Sequence, residues 1–394
     1  MIKFHYQCSQ CGREFDITPE LMLCPDCSRN QKPDEPLRGV LEVKLSGRLH
    51  CQLKVSDMLP VAAEYFPMIP VGNTPLWRSA ELNRSLDFPN LYLKDDTHNL
   101  TGSLKDRASY LVAAFARREK INEVVLASTG NAGSSMAGIG AAAGLNVTLF
   151  LPETAPQAKM VQALQYGARV IPVKGNYDRA FDLSLEYSCK HNLLSRNTAY
   201  NPLTIEGKKT VALEIYHQLE RVPDFIFVPT GDGVILGGVY KGFKDLKKLN
   251  IISEIPTIVA VQAEGSDAIA RAFETGKFTP VAAKTVADSI AVDIPRNGYY
   301  ALKQLQQYNG RCLTVSDDAI LSAQKELSSV AGLFAEPAAA AAYAGFLKMR
   351  TSLDKNVTIV ILITGNGLKD VDSAKKKIVF PDYAISSLEE LNDR

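Results

Sequence analysis

Along this chain, short apolar runs alternate with longer stretches that are amphipathic or rich in alanine. The runs Leu91–Leu93, Glu123–Ala127, Val147–Leu151, Val170–Val173, Phe225–Val228, Ile258–Val261 and Val357–Ile363 predict strands. Between them, helices are predicted near Asp106–Glu119, Ala132–Ala143, Pro156–Gly167, Tyr177–His191, Leu236–Leu249, Asp317–Ala331 and Pro337–Met349. Strand and helix in alternation make βαβ units, hence an α/β protein with parallel or mixed sheets covered by helices on both faces. Upstream, Leu41–Leu53 alternates enough for a strand or two, and Gln31–Glu35 is a polar, proline-containing linker. In sheets of this kind, ligands bind at the carboxyl ends of the strands.

Three predicted strand ends carry glycine and polar residues: Ser128-Thr129-Gly130-Asn131-Ala132-Gly133, Pro229-Thr230-Gly231-Asp232-Gly233-Val234-Ile235, and Thr364-Gly365-Asn366-Gly367. Glycine lets backbone N–H groups converge on an anion, and a following helix N-terminus adds partial positive charge. Any one such loop is an ordinary strand-to-helix turn, and Gly231 to Gly237 does not have the spacing of a dinucleotide fingerprint. A fourth segment, Thr101 to Ser109, places Lys105 at a helix start behind small hydroxyl and glycine residues. Such an amine becomes a nucleophile where its surroundings lower its pKa, because only the neutral form condenses with an aldehyde. A phosphate cradle, a helix-start lysine and polar strand-end loops together describe a pyridoxal phosphate site.

Composition narrows the partners. In 394 residues, 44 basic side chains face 43 acidic ones, which leaves no charge surplus for a polyanion, so neither nucleic acid nor a membrane surface is an expected partner. No apolar run is long enough to cross a bilayer and Met1 to Tyr6 lacks a signal peptide's apolar core, so a cytoplasmic protein is expected. The length exceeds what one core usually supports, which predicts two domains and a small appendage. Of seven cysteines, Cys8, Cys11, Cys24 and Cys27 form two CxxC pairs separated by 12 residues. That is the ligand spacing of a structural zinc ribbon; two disulfides, or a knuckle without metal, are the alternatives. Cys51, Cys189 and Cys312 are isolated and read as packing residues.

The chain resembles the threonine synthases, of the tryptophan-synthase-β (fold type II) family of pyridoxal-phosphate enzymes. The resemblance rests on Val71-Gly72-Asn73-Thr74-Pro75-Leu76, Lys94-Asp95-Asp96, Thr101 to Arg107, Ala127 to Asn131, Asn201-Pro202 with Glu206-Gly207-Lys208-Lys209-Thr210, Val228 to Phe243, Glu336-Pro337-Ala338 and Thr364 to Asp370. It implies two doubly wound domains behind a zinc-ribbon segment at 1–50: a large cofactor-binding domain from 51–105 and 203–394, and a small domain, 106–202, that closes over the active site. It implies that Lys105 forms the internal aldimine, that Asn131 bonds the cofactor's phenolic oxygen, that Gly231, Asp232, Gly233, Val234 and Ile235 cradle its phosphate, and that Thr364 faces its ring nitrogen.

Ser128, Thr129, Gly130, Asn131 and Ala132 would then hold the substrate carboxylate, with Asn201 also in the substrate site. The sequence departs from many family members at Ala132, where they place a threonine, and at Thr204, where several have an arginine for the substrate phosphate. Arg296 is the candidate replacement for that guanidinium, with a plain surface charge as its equal alternative. The reaction implied is that of a pyridoxal-phosphate-dependent lyase converting O-phospho-L-homoserine and water to L-threonine and phosphate, in a homodimer. A threonine or serine ammonia-lyase, another β-eliminating or β-replacing enzyme, and an idle binding protein of the same fold remain alternatives.

Overall fold

The computed structural model describes residues 2–47, 54–388 and 390. At the N-terminus β1 (Lys3–Cys8) pairs antiparallel with both β2 (Glu14–Phe15) and β3 (Leu41–Ser46). The strands that follow are β4 (Leu76–Trp77), β5 (Leu91–Asp95), β6 (Glu123–Ala127), β7 (Asn146–Pro152), β8 (Arg169–Val173), β9 (Leu194–Ser195), β10 (Phe225–Pro229), β11 (Thr257–Ala263), β12 (Arg311–Val315) and β13 (Ile359–Ile363). A six-stranded sheet runs β12-β11-β10-β13-β5-β4, parallel except for β4. A second sheet, β8-β7-β6-β9, is parallel throughout.

The seven predicted strands fall on β5, β6, β7, β8, β10, β11 and β13, which are the central members of the two larger sheets together with β8 at an edge. To these two sheets the structure adds β12 and the two-residue strands β4 and β9, and at the N-terminus β1 and β2, all too short or too mixed in polarity to stand out as apolar runs. Of the alternating stretch Leu41–Leu53, one strand is seen at Leu41–Ser46; the remainder, with Cys51, lies outside the described residues. The Leu203–Lys208 and Thr210–Leu219 helices were also not predicted, because their buried faces carry Glu206, Lys208, Lys209 and Glu214.

The middle strand β13 reads Ile-Val-Ile-Leu-Ile and is buried along its whole length, as a strand covered on both faces must be. The Pro337–Met349 helix packs against it through Ala338 to Ala342, all buried. A small residue is also required where the same helix meets β11: a Cβ on Gly345 would stand 2.5 Å from the Val261 side chain. The N-terminal strands are not a detached appendage. Tyr6, Leu41 and Val43 belong to the same apolar cluster as Leu111 to Ala116 of the Lys105–Arg118 helix.

A buried ion network joins the motifs that precede that helix. The Arg107 guanidinium donates to both oxygens of Asp96 at 2.6 and 2.8 Å and to both of Glu214 at 2.6 and 2.8 Å. It also reaches the hydroxyls of Thr74 and Thr210 at 3.0 Å each. Glu214 further accepts from Lys94 Nζ at 2.7 Å and from the Asn73 amide at 2.7 Å. Burial works against the Glu214 carboxylate, yet the Arg107 and Lys94 charges outweigh it and hold its pKa down at about 2.

Two outcomes follow. Arg107→Met leaves two carboxylates buried without their partner and should cost about 3–5 kcal/mol in denaturant unfolding; a loss below about 1 kcal/mol would show that the network is dispensable. Because the Glu214 pKa is lower in the folded chain than its ordinary 4.5, its stabilisation is complete above about pH 4.5 and is lost as pH falls from there toward 2. Acid titration of the wild type against Glu214→Gln should show that component disappear over this window.

Candidate active site

Lys105 is the first residue of the Lys105–Arg118 helix, and the loop before it is fastened to the end of β13. The Leu104 amide donates to the Thr364 carbonyl at 2.9 Å, and the Asn366 amide donates to the Gly102 carbonyl at 3.0 Å. Gly102 sits at φ +80°, which makes the turn. Thr101 closes the segment, its amide donating to Asp106 at 2.6 Å. Lys105 is left half-buried on the wall of a cavity of about 400 Å³ between the carboxyl ends of the two larger sheets. Desolvation pushes its pKa down, Asp232 and Glu336 push back, and Arg196 lowers it further. The net direction is down, toward a neutral amine.

The same cavity is lined by Ser128, Thr129, Gly130, Asn131 and Ala132 after β6, and by Gly231, Asp232, Gly233 and Ile235 after β10. Val234 is fully buried behind that loop, and Thr364 is buried beside Leu104 without lining the cavity. Ser128 Oγ accepts from the amides of Gly130 and Gly133 at 3.3 and 3.1 Å, which folds the first loop into the start of the Asn131–Ala143 helix. Asn131 is held across the cavity, its Nδ2 donating to both Glu336 oxygens at 2.9 Å and to Ser289 Oγ at 3.2 Å. Burial raises the Glu336 pKa, against the pull of Asn131 and Lys105.

The β10 loop is shaped for a close approach. Gly233 lies at φ +85°, and a Cβ on Gly231 would stand 2.8 Å from the Ile290 Cα. Asp232 caps locally, accepting from the Val234 amide at 2.9 Å, where the Val234–Lys248 helix begins.

One expected substrate residue, Asn201, does not line the cavity. Asn201 is fully buried away from the cavity, with its amide group engaged by the Ser195 carbonyl at 2.7 Å and the Leu203 amide at 2.8 Å. Thr204 is likewise buried, donating to the Asn201 carbonyl at 2.7 Å. Arg296 does reach the cavity rim, but its guanidinium is ion-paired with Asp178 and lies 5.1 Å from the Phe181 ring centre. Tyr177, Thr198, Ser289 and Asp288 also line the space and were not anticipated, since nothing local in the sequence marks them.

Residues 68–365 match the family described as pyridoxal-phosphate dependent enzymes. The chain belongs to that family. Among curated members it is 34% identical to a threonine synthase of Methanocaldococcus jannaschii over 93% of each chain. It is 33% identical to one of Methanosarcina acetivorans over 93% of this chain and 92% of that one. A threonine synthase of Halalkalibacterium halodurans is 35% identical over 82% of this chain and 90% of the relative. Among solved structures, threonine deaminase isoform 2 of Solanum lycopersicum superposes with a TM-score of 0.68 at 24% identity, over 82% of this chain and 92% of that one. At that identity the likeness is one of fold.

The cavity of this pyridoxal-phosphate dependent enzyme fits the family's cofactor on its own chemistry. It offers a half-buried amine with lowered pKa, a glycine loop that any Cβ would fill, and a helix N-terminus at the end of that loop. Gly231→Ala should force the segment around Ile290 outward and weaken binding of pyridoxal 5'-phosphate by roughly tenfold or more, corresponding to at least about 1.4 kcal/mol. Unchanged affinity, read from the visible absorbance on titration, would mean that this loop does not contact the phosphate.

Proposed function

We propose that this enzyme is a threonine synthase, converting O-phospho-L-homoserine and water to L-threonine and phosphate. The observation that carries the reading is the amine of Lys105, desolvated on a cavity wall formed by the glycine loops, in a chain about a third identical to threonine synthases over nearly its whole length. Bound through Lys105, pyridoxal phosphate supplies an electron sink that stabilises negative charge at the substrate's α-carbon. Lys105 takes the α-proton and carries protons to and from the β-carbon, a role that suits an amine whose pKa is lowered by desolvation. Backbone N–H groups of Ser128 to Ala132 hold the substrate carboxylate at the start of the Asn131–Ala143 helix. Asn131, oriented by Glu336, would hold the cofactor's phenolic oxygen, and Thr364, at the end of β13 behind the cavity wall, would serve the ring nitrogen. The unit at 106–202, which contains β6 to β9, closes over the cavity and excludes water.

The four N-terminal thiols hold zinc in this reading. Their sulfurs all lie within 4.8 Å of one another, with Cys8 to Cys27 at 3.8 Å and Cys11 to Cys24 at 3.7 Å. Ligands about 2.3 Å from a tetrahedral zinc stand about 3.8 Å apart, so this spacing suits the ion and exceeds the bond length of a disulfide, about 2.05 Å. With all four positions taken by thiolate the site is structural.

Supplied with pyridoxal phosphate, the protein should release phosphate and threonine in equal amounts from O-phospho-L-homoserine, and Lys105→Ala should abolish turnover. Borohydride should fix the pyridoxyl group on the peptide containing Lys105. Ammonia from threonine or serine, with no phosphate from phosphohomoserine, would instead assign an ammonia-lyase. Elemental analysis of reduced protein should give one zinc per chain. Its chelation should lower the thermal midpoint of the whole chain, since the ribbon shares a core with the Lys105–Arg118 helix.

A further inference from the structure

Six lysine and arginine side chains are buried among the described residues. Lys94, Arg107, Lys209 and Lys241 each contact a buried carboxylate. Arg196 and Lys208 do not. Lys208 Nζ is fully enclosed without a hydrogen-bond partner, and so is Nη2 of Arg196. The rest of the Arg196 guanidinium is oriented, Nε on Ser109 Oγ at 3.2 Å and Nη1 on Thr198 Oγ1 at 2.8 Å.

Both cations stand by the active cavity. Thr198, which Arg196 bonds, lines it. Lys208 ends the Leu203–Lys208 helix and packs against the first turns of the Val234–Lys248 helix, where a Cβ on Gly238 would come within 2.7 Å of its own Cβ. Both are within electrostatic reach of Asp232 in the glycine loop, and Lys208 feels Lys105 and Arg196 as well. The acidic groups that act on the three cations are Asp232, with Asp106 and Tyr177 toward Arg196 and Glu336 toward Lys105. One carboxylate, Asp232, is thus shared among all three.

Isolated buried cations are costly unless an anion joins them. Desolvation accordingly drives Lys208 well below its ordinary pKa, with the charges of Arg196 and Lys105 adding to the effect. A guanidinium with a free Nη2, and a lysine amine near a glycine loop that regains its proton when an anion joins it, are the donors that a phosphate dianion takes. Arg296, already neutralised by Asp178, is not in that position.

We propose that Arg196 and Lys208 form the cationic wall of a buried subsite for a phosphate monoester, next to the Gly231–Ile235 loop. The inference rests on the reading that this cavity holds pyridoxal phosphate and a phosphorylated amino acid. The phosphate belongs either to the cofactor or to the substrate, and the two sources separate by experiment.

Lys208→Met and Arg196→Met should each be titrated as apoprotein with pyridoxal 5'-phosphate and with pyridoxal. As cofactor-loaded protein they should be titrated with O-phospho-L-homoserine and with L-homoserine, following the visible spectrum. In the arm that names the source, affinity for the phosphorylated compound should fall about ten- to a hundredfold, while its dephosphorylated counterpart binds as in the wild type. Lys208→Arg should recover most of the loss. Equal losses for both members of each pair, or none, would overturn the proposal.

Should these variants not fold, wild-type apoprotein carries the test alone. Its thermal midpoint should rise with inorganic phosphate and not with chloride at equal ionic strength, and no rise would reject the subsite. A protein stabilised by phosphate that nevertheless leaves phosphohomoserine unturned would keep the subsite and remove the threonine synthase reading.

Discussion

A single guanidinium, that of Arg107, ties together four segments that are distant in the chain: Thr74 before β4, Asp96 after β5, the Lys105–Arg118 helix and the Thr210–Leu219 helix. Two carboxylates and two hydroxyls leave it saturated, which is the condition under which a buried ion stabilises rather than penalises a fold. Arg107 lies two residues beyond Lys105. Fixing the guanidinium therefore fixes the first turn of the helix, and with it the direction in which the amine leaves the backbone.

The site itself is an edge where parallel strands end together. Ile363 stands opposite Asp95 in the register of β13 and β5, and Pro229 opposite Val261 in that of β10 and β11, so the loops that follow emerge side by side. Short side chains let them approach: a Cβ at Gly365 would meet Glu336, and one at Gly231 would meet the backbone at Ile290. Glu336 and Asn131, 205 residues apart, then bond across the gap between the two sheets. Low polarity lowers the Lys105 pKa, while Asp232 and Glu336 limit the shift.

The N-terminal segment is connected to this edge by more than packing. The Leu37 amide donates to the Arg296 carbonyl at 2.9 Å, and the Asn297 amide in turn donates to the Asp232 carbonyl at 3.0 Å. Lys244, on the helix that follows the glycine loop, pairs with Glu42 of β3 at 2.7 Å. Glu42, itself buried, has its pKa held at about 2 by Lys244 and Lys44 against the opposing effect of desolvation. The N-terminal segment thus contacts the loop bearing Asp232 by way of Arg296 and Asn297, and the helix after that loop by way of Lys244.

The sequence by itself determined the alternation of strand and helix, the central strands, the glycine-bearing strand ends, Lys105 at a helix start and the four-cysteine spacing. Each of these is a local pattern: apolar periodicity, a turn that needs glycine, or ligands a few residues apart. The tertiary structure alone decided which polar residues became interior. Glu206, Lys208, Lys209 and Glu214 are charged, yet the fold buries all four, with Lys208 Nζ left without a hydrogen-bond partner. The different surroundings of Arg296 and Arg196 have the same origin. Only folding brings Asp178 to pair with one arginine and leaves the other enclosed with an unpartnered nitrogen, because electrostatic pairing depends on distance in space and not along the chain.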